Sequence, residues 1–301
     1  MEHLVTRTRV AGTNLLTPSD IRELSNELGI RPTKTLGQNF VGDGGTVRKI
    51  VSHAGVVESD QVLEIGPGLG SLTLALLEAG AYVSAVEIDP KLATALPQTV
   101  GARHDRPERF AVAQFDALKI VDNELAVPPA LESIAPTHLV ANLPYNVAVP
   151  AILTALEAIP TLQVVDVMVQ LEVAERLAAQ PGSKVYGVPS AKVAWYAEAT
   201  RGPLIGRGVF WPVPNVDSAL VRLDRRPVPT ADRERVFAVI DAAFAQRRKT
   251  LRQSLGNWAG SPKQAEEILR AAGVDPTLRG ERLTIDDFVA IAKAGEEALG
   301  S

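Results

Sequence analysis

Residues 61–99 read QVLEIGPGLGSLTLALLEAGAYVSAVEIDPKLATALPQT. QVLEIG has the continuous apolar character of a strand buried on both faces, and the glycines that follow suit a tight turn. SLTLALLEAG (71–80) then has helical spacing, with Gly80 as its stop. AYVSAVE (81–87) is a second apolar strand, after which Asp89 can cap a helix that starts at Pro90 and runs to about Thr99. These elements make a βαβ unit, which implies a parallel pair of strands with the glycine turn at their carboxyl edge.

The same alternation continues outward. RFAVAQFD (109–116), HLVANLP (138–144) and LQVVDVMVQ (162–170) read as strands, and NVAVPAILTALEAI (146–159) as a helix. SALVRL (218–223) follows the Pro-rich loop VFWPVPNVD (209–217) and suits an antiparallel last strand. A doubly wound, mostly parallel α/β sheet is expected. Beyond the Pro227–Thr230 linker, three helical patterns occupy 231–255, 261–273 and 284–299. The reading is an extension at 1–35 with a helix-like stretch from Pro18 to Leu28, an α/β domain at 36–226, and a small all-helical domain at 227–301.

Composition narrows the chemistry. The 301 residues are 46% apolar and 22% charged, ordinary for a folded chain with its own core. The absence of cysteine excludes disulfide scaffolds, thiol catalysis and Cys-ligated zinc. His3, His53, His104 and His138 are not at metal-ligand spacing, so no metal is expected. There is no run of 18 apolar residues and no signal-peptide pattern at MEHLVTRTRV, which gives the expectation of a cytoplasmic protein without a membrane partner. The net charge of −4 conceals a basic segment. Arg225–Arg252 holds eight basic residues against three acids, a net +5 that reads either as a solvated helix face or as a local patch for a polyanion.

Four features fall on the carboxyl edge of the expected sheet. The motif Glu64-Ile65-Gly66-Pro67-Gly68-Leu69-Gly70 lets backbone approach a ligand, but Ser71 breaks the dinucleotide pattern G-x-G-x-x-G/A, so G-x-G-x-G with a preceding acid suits an adenosyl ligand without pyrophosphate, unless it is simply a tight turn. Glu87 ends the next strand, where an acid can take both ribose hydroxyls, while Asp89 is better read as a helix cap. Asp116 ends a third strand and could accept from an adenine amino group, or could simply be a solvated loop acid. Asn142-Leu143-Pro144-Tyr145 offers a side-chain amide, a backbone carbonyl and a ring to an exocyclic amine, although Asn and Pro also suit a plain strand-ending turn.

LGQNF (36–40), EIGPGLG (64–70), NLPYN (142–146), FWPVPNVDSA (210–219) and FAQRRKTLRQSL (244–255) together resemble the ribosomal RNA adenine N6-dimethyltransferases. Within that family the likeness is to the bacterial small-subunit enzymes rather than to the macrolide-resistance methylases of the large subunit. NLPY alone occurs in many amino-methyltransferases, so the ordered set carries the specificity. The resemblance implies a Rossmann-like class I S-adenosylmethionine methyltransferase domain with a helical C-terminal domain, acting as a monomer on small-subunit rRNA or an immature 30S subunit. It implies N6,N6-dimethylation of two adjacent adenosines near the 3′ end of that rRNA. A large-subunit methylase, or a non-catalytic nucleic-acid-binding factor that keeps the fold, is the alternative.

By the same resemblance, the cofactor contacts are Asn39, Val41, Gly66, Glu87, Asp116 and Asn142, and the catalytic group is Asn142, Leu143, Pro144, Tyr145 and Phe210. Asn142 and the Leu143 carbonyl would accept the two N–H bonds of the target amine, and Tyr145 and Phe210 would stack on the base. Val41 stands where the family usually has Leu, and Gly187-Val188-Pro189-Ser190 departs from the usual run.

Overall fold

A computed structural model describes residues 14–30, 39–144 and 147–300. Helix α1 (Pro18–Glu27) is opened by a capping box: the Thr17 hydroxyl accepts from the Asp20 N–H at 3.3 Å, and the Asp20 carboxylate accepts from the Thr17 N–H at 2.8 Å. Strand β1 (Phe40–Val41) leads into α2 (Gly44–Ala54), whose first turn is capped by Asp43. The decisive βαβ unit follows as β2 (Gln61–Ile65), α3 (Ser71–Glu78), β3 (Tyr82–Glu87) and α4 (Pro90–Arg103). Asp89 caps α4, accepting from the Lys91 N–H at 2.9 Å, and the helix continues past Thr99 despite Pro97 in its interior.

Strand β4 (Phe110–Gln114), β5 (His138–Asn142), α5 (Ala148–Ala158) and β6 (Val164–Gln170) complete the parallel part. Then come α6 (Leu171–Leu177), α7 (Val188–Val193), β7 (Ala197–Ile205), β8 (Phe210–Trp211) and β9 (Ser218–Arg225). The sheet order is β4-β3-β2-β5-β6-β9-β7, with β9 antiparallel to β6 from Val164↔Asp224 to Gln170↔Ser218. β1 and β8 form a separate antiparallel pair, Phe40 opposite Trp211 and Val41 opposite Phe210. Strand β7 has no counterpart in the sequence reading, because its mostly exposed, Gly- and Pro-containing run lacks the apolar signature of a buried strand.

Two compact units emerge. One runs through Ala174 and resumes at Thr200–Asp224, while the other joins Glu175–Ala199 to the chain from Arg225 onward. Residues 175–199, placed with the sheet by the sequence reading, go with the helices for concrete reasons. The Tyr186 hydroxyl donates to the Leu283 carbonyl at 2.9 Å, Lys192 pairs with Asp241 at 2.8 Å, and Trp195 and Tyr196 meet Phe237 edge-on. Within the N-terminal stretch, residues 14–30 pack as a cover. Leu16, Ile21 and Ile30 share an apolar cluster with Phe40, Leu69, Leu74 and Leu92, and Arg103 pairs with Asp20 at 2.9 Å.

The helical unit continues with α8 (Arg233–Ala245), α9 (Leu251–Ser254), α10 (Pro262–Ala271) and α11 (Ile285–Leu299). The single helical pattern expected over 231–255 is therefore broken between Ala245 and Leu251. The Leu251 and Arg252 N–H groups donate instead to the carbonyls of Leu278 and Pro276, at 2.7 and 3.1 Å, so tertiary hydrogen bonds override local propensity. No helix of the described residues is long and apolar enough to cross a membrane.

Gly70 caps α3 at φ +96°, and a Cβ there would sit 2.7 Å from Cδ1 of the buried Leu96. Gly70→Ala should therefore lose about 1–3 kcal/mol of stability from backbone strain alone. Urea unfolding of the variant beside the unsubstituted protein measures it.

Candidate active site

In the β2/β3 pairing, Glu64 stands opposite Ala85 and Ile65 opposite Val86, so Gly66 and Glu87 leave neighbouring strands at one edge. The Gly66 N–H donates to the Val86 carbonyl at 2.9 Å, which starts the turn on the sheet itself. A cavity of about 210 Å³ opens above it. Its lining includes all six cofactor residues expected from the sequence: Asn39, Val41, Gly66, Glu87, Asp116 and Asn142. A Cβ on Gly66 would meet no protein atom within 4 Å, so the bare backbone faces open space.

Glu87 is 5% exposed. Its Oε2 accepts from the Gly68 N–H at 3.1 Å and its Oε1 from the Asp89 N–H at 2.9 Å, so it binds the glycine loop to the end of β3. Burial pushes its carboxyl above the usual carboxylate range, and these two N–H donors oppose the rise. Asp116 accepts from the Leu118 N–H at 3.0 Å, so the acid at the cavity also caps the short helical turn after β4.

Asn142 ends β5. Its Nδ2 donates to the Asn39 carbonyl at 3.0 Å, which leaves Oδ1 as the amide's acceptor. Leu143 is buried, with its N–H donating to the Met168 carbonyl at 3.1 Å, and Pro144 lines the cavity. Tyr145 lies outside the described residues. Phe210 is only 4% exposed and belongs to the apolar cluster of Val41, Val47 and Leu72, with no part in the cavity lining. The stacking role expected for its ring would require the ring to leave that packing.

Glu64, the acid that precedes the glycines in the motif and was not among the expected cofactor contacts, lines the cavity at 1% exposure. Its Oε2 accepts from the Thr73 hydroxyl at 2.7 Å. Burial pushes its carboxyl up to about 8, the Thr73 hydrogen bond opposes this, and the Glu87 charge adds to it. The signal was present in the motif: a carboxylate inside an otherwise apolar strand is costly unless something meets it. Ser71 Oγ, also at the cavity, is buried with no hydrogen-bond partner among the described residues.

The donor set suits S-adenosylmethionine. Glu64, Glu87 and Asp116 are the charged side chains of the lining, with no Lys, Arg or His among the described residues there. A cavity of that kind favours a cationic ligand, and a sulfonium with an ammonium group is one. Glu87 can take ribose hydroxyls on its remaining lone pairs, and Asp116 can accept from adenine. Among the described residues no group of His, Cys, Asp or Glu gathers as a metal site.

In the helical unit, the basic segment divides by partner. Arg247 donates to the carbonyls of Lys184 and Tyr186 and pairs with Glu281 at 3.4 Å. Arg252 pairs with Glu266 at 3.1 Å, and Arg235 with Glu296 at 3.5 Å. Arg248 and Lys249 are exposed in the turn between α8 and α9.

The family model for ribosomal RNA adenine dimethylases matches residues 30–296. The ribosomal RNA small subunit methyltransferase A of Thermobifida fusca is 59% identical over 292 residues, covering 96% of this chain and 99% of that protein. Among solved structures, a dimethyladenosine transferase from Plasmodium falciparum superposes with TM-score 0.68 at 24% identity, covering 84% of this chain and 95% of its own. The 23S rRNA methyltransferase ErmE superposes with TM-score 0.61 at 27% identity, over 85% and 99%.

Glu87→Ala should raise the dissociation constant for S-adenosylmethionine at least tenfold, since each charge-assisted hydrogen bond is worth about 1.5–3 kcal/mol. It should also lower the melting temperature, because Gly68 and Asp89 lose their acceptor. Titration calorimetry beside a thermal melt measures both, and unchanged affinity would make Glu87 purely structural.

Proposed function

Because the chain belongs to the ribosomal RNA adenine dimethylase family, we propose that it dimethylates adenine N6 amines of small-subunit rRNA, with S-adenosylmethionine as the methyl donor. The targets are two adjacent adenosines near the 3′ end of that rRNA, within the immature 30S subunit. Identity of 59% to a small-subunit methyltransferase against 27% to a 23S methyltransferase supports the small subunit as the substrate. The alternative of a non-catalytic factor is disfavoured by the complete donor set around the cavity.

The observation that carries the reading is the Asn142–Asn39 hydrogen bond of 3.0 Å beside the acidic cavity. Bound S-adenosylmethionine supplies an electrophilic methyl group on a positively charged sulfur. The N6 amine is a poor nucleophile because its lone pair is delocalised into the ring. Asn142 Oδ1 and the Leu143 carbonyl accept its two N–H bonds, which draws the lone pair out of the ring plane. Asn39 fixes the Asn142 amide, so Oδ1 is preorganised and needs no rearrangement during transfer, and the Leu143 N–H anchors the chain to the Met168 carbonyl just before the second acceptor. No strong base is required, because the amine proton becomes acidic once the methyl is bonded. Tyr145 provides the stacking face for a base taken out of its helix.

Asn142→Ala should reduce single-turnover methyl transfer to an immature small subunit by about 10²–10³, the usual loss for one preorganised acceptor. RNA affinity should hardly change, since phosphate contacts supply most of it. Transfer at the unsubstituted rate would reduce the Asn142 turn to a structural element.

Arg248 and Lys249 are the phosphate contacts in this reading, whereas Arg247 holds the helical unit together. Replacing Arg248 and Lys249 by Ala should lower the slope of log affinity against log salt by about 0.7–0.9 for each phosphate that is no longer neutralised. Arg247→Ala should instead lower the melting temperature, and a calorimetric scan of the two variants separates these roles.

A further inference from the structure

The cavity gathers Glu64, Glu87 and Asp116 without a basic side chain among the described residues of its lining. Glu64 comes from β2, Glu87 from the end of β3 and Asp116 from the loop after β4. β1, α2, α3, α4, β5 and α5 also reach the cavity, through Val41, Ile50, Ser71, Leu92, Asn142 and Ala151, and none of these residues carries charge. The three acids differ in their support. Glu87 and Asp116 each accept from backbone N–H, and for Glu87 those bonds oppose the rise that burial causes. Glu64, in the most buried position of the three, accepts from the Thr73 hydroxyl, with the Thr73 N–H as a weaker second donor, and burial outweighs both. The buried Ser71 Oγ, on the lining of the same cavity, has no hydrogen-bond partner among the described residues.

We propose that Glu64 is a proton-coupled positioning residue: it carries a proton while the cavity lacks a cation and releases that proton to solvent when S-adenosylmethionine binds. The inference rests on the cofactor assignment above. A buried carboxyl beside the Glu87 charge is neutral by preference, and burial holds it up to about 8, so it is protonated at neutral pH. S-adenosylmethionine brings a sulfonium, an ammonium and a carboxylate, a net charge of about +1, which reverses that balance because a nearby opposite charge favours the carboxylate of Glu64. The O–H bond of Glu64 breaks and the proton passes to the buffer. Binding that releases a proton strengthens as pH rises, by linkage.

The experiment is titration calorimetry of the full chain with S-adenosylmethionine at pH about 6.5, in paired buffers of low and high ionisation enthalpy; there the ligand's own α-amino group stays protonated throughout. The expected result is release of about half a proton or more per ligand bound, with affinity rising between pH about 6 and 7.5. Glu64→Gln, which keeps an acceptor for Thr73, should bind without releasing a proton and with pH-independent affinity. Thr73→Val, which removes the hydroxyl that favours the carboxylate, should shift the release profile to higher pH. Thermal melts establish that both variants are folded. Binding of S-adenosylmethionine without proton release, or release that persists in Glu64→Gln, overturns this inference and leaves the cofactor assignment standing. Failure of the unsubstituted protein to bind S-adenosylmethionine overturns both.

Discussion

A carboxylate taken out of water has to be compensated, and Glu87 is where this fold meets that demand. At 5% exposure it accepts from Gly68 and Asp89, two backbone groups that belong to different turns. One bond fixes the glycine loop after β2, and the other fixes the entry to α4 after β3. The parallel register of β2 and β3 brings both turns to the same edge. Without an acid at that point, two N–H groups would lack an acceptor and the loop would lose its anchor to the neighbouring strand. The same carboxylate raises the cost of ionising Glu64, so the acid that shapes the loop also sets the electrostatics of the cavity.

That dependence explains why so much of the parallel core was legible. Parallel strands are buried on both faces, so QVLEI, YVSAVE and HLVAN are almost unbroken apolar runs, and the chain has to turn at the polar residues that end them. Asp89 could be read as a cap because Pro90 follows it, and the cap is present. What could not be read depended on distant partners. Strand β7 lies at the sheet edge, where half-exposed AEATRGPLI has no apolar period to detect. Residues 175–199 contain Tyr186, Trp195 and Tyr196, whose partners Leu283 and Phe237 are about 40 to 100 positions away in sequence.

The basic segment shows the same limit from the side of charge. Eight cations in Arg225–Arg252 look alike in sequence. Arg247 is consumed by two carbonyls and Glu281, Arg252 by Glu266 and Arg235 by Glu296, while Arg248 and Lys249 stay exposed in a turn. A net charge of +5 therefore overstates the charge available to a polyanion, since a paired cation presents a dipole rather than a monopole at distance. Arg226 reaches the Ala194 carbonyl and Arg233 lies over the Phe237 ring, and the break between α8 and α9 leaves Arg248 and Lys249 exposed in the turn.

Phe210 gives the clearest case of a motif residue that can serve the site through packing. It pairs with Val41 across β8 and β1, and its ring is packed in the core. Asn39 immediately precedes β1, and its carbonyl orients the Asn142 amide. The chain of contact thus runs from Phe210 through β1 to the acceptor at the cavity. Removing the ring would empty core volume beneath β1, a change that commonly costs about 3–5 kcal/mol for a buried Phe. A displaced β1 would carry the Asn39 carbonyl with it and free the Asn142 amide to rotate, so that Oδ1 no longer has a fixed direction. Activity lost on substitution of Phe210 would therefore follow from positioning even if the ring never touched a base. In this arrangement Phe210 is tied to the site through β1, Asn39 and Asn142.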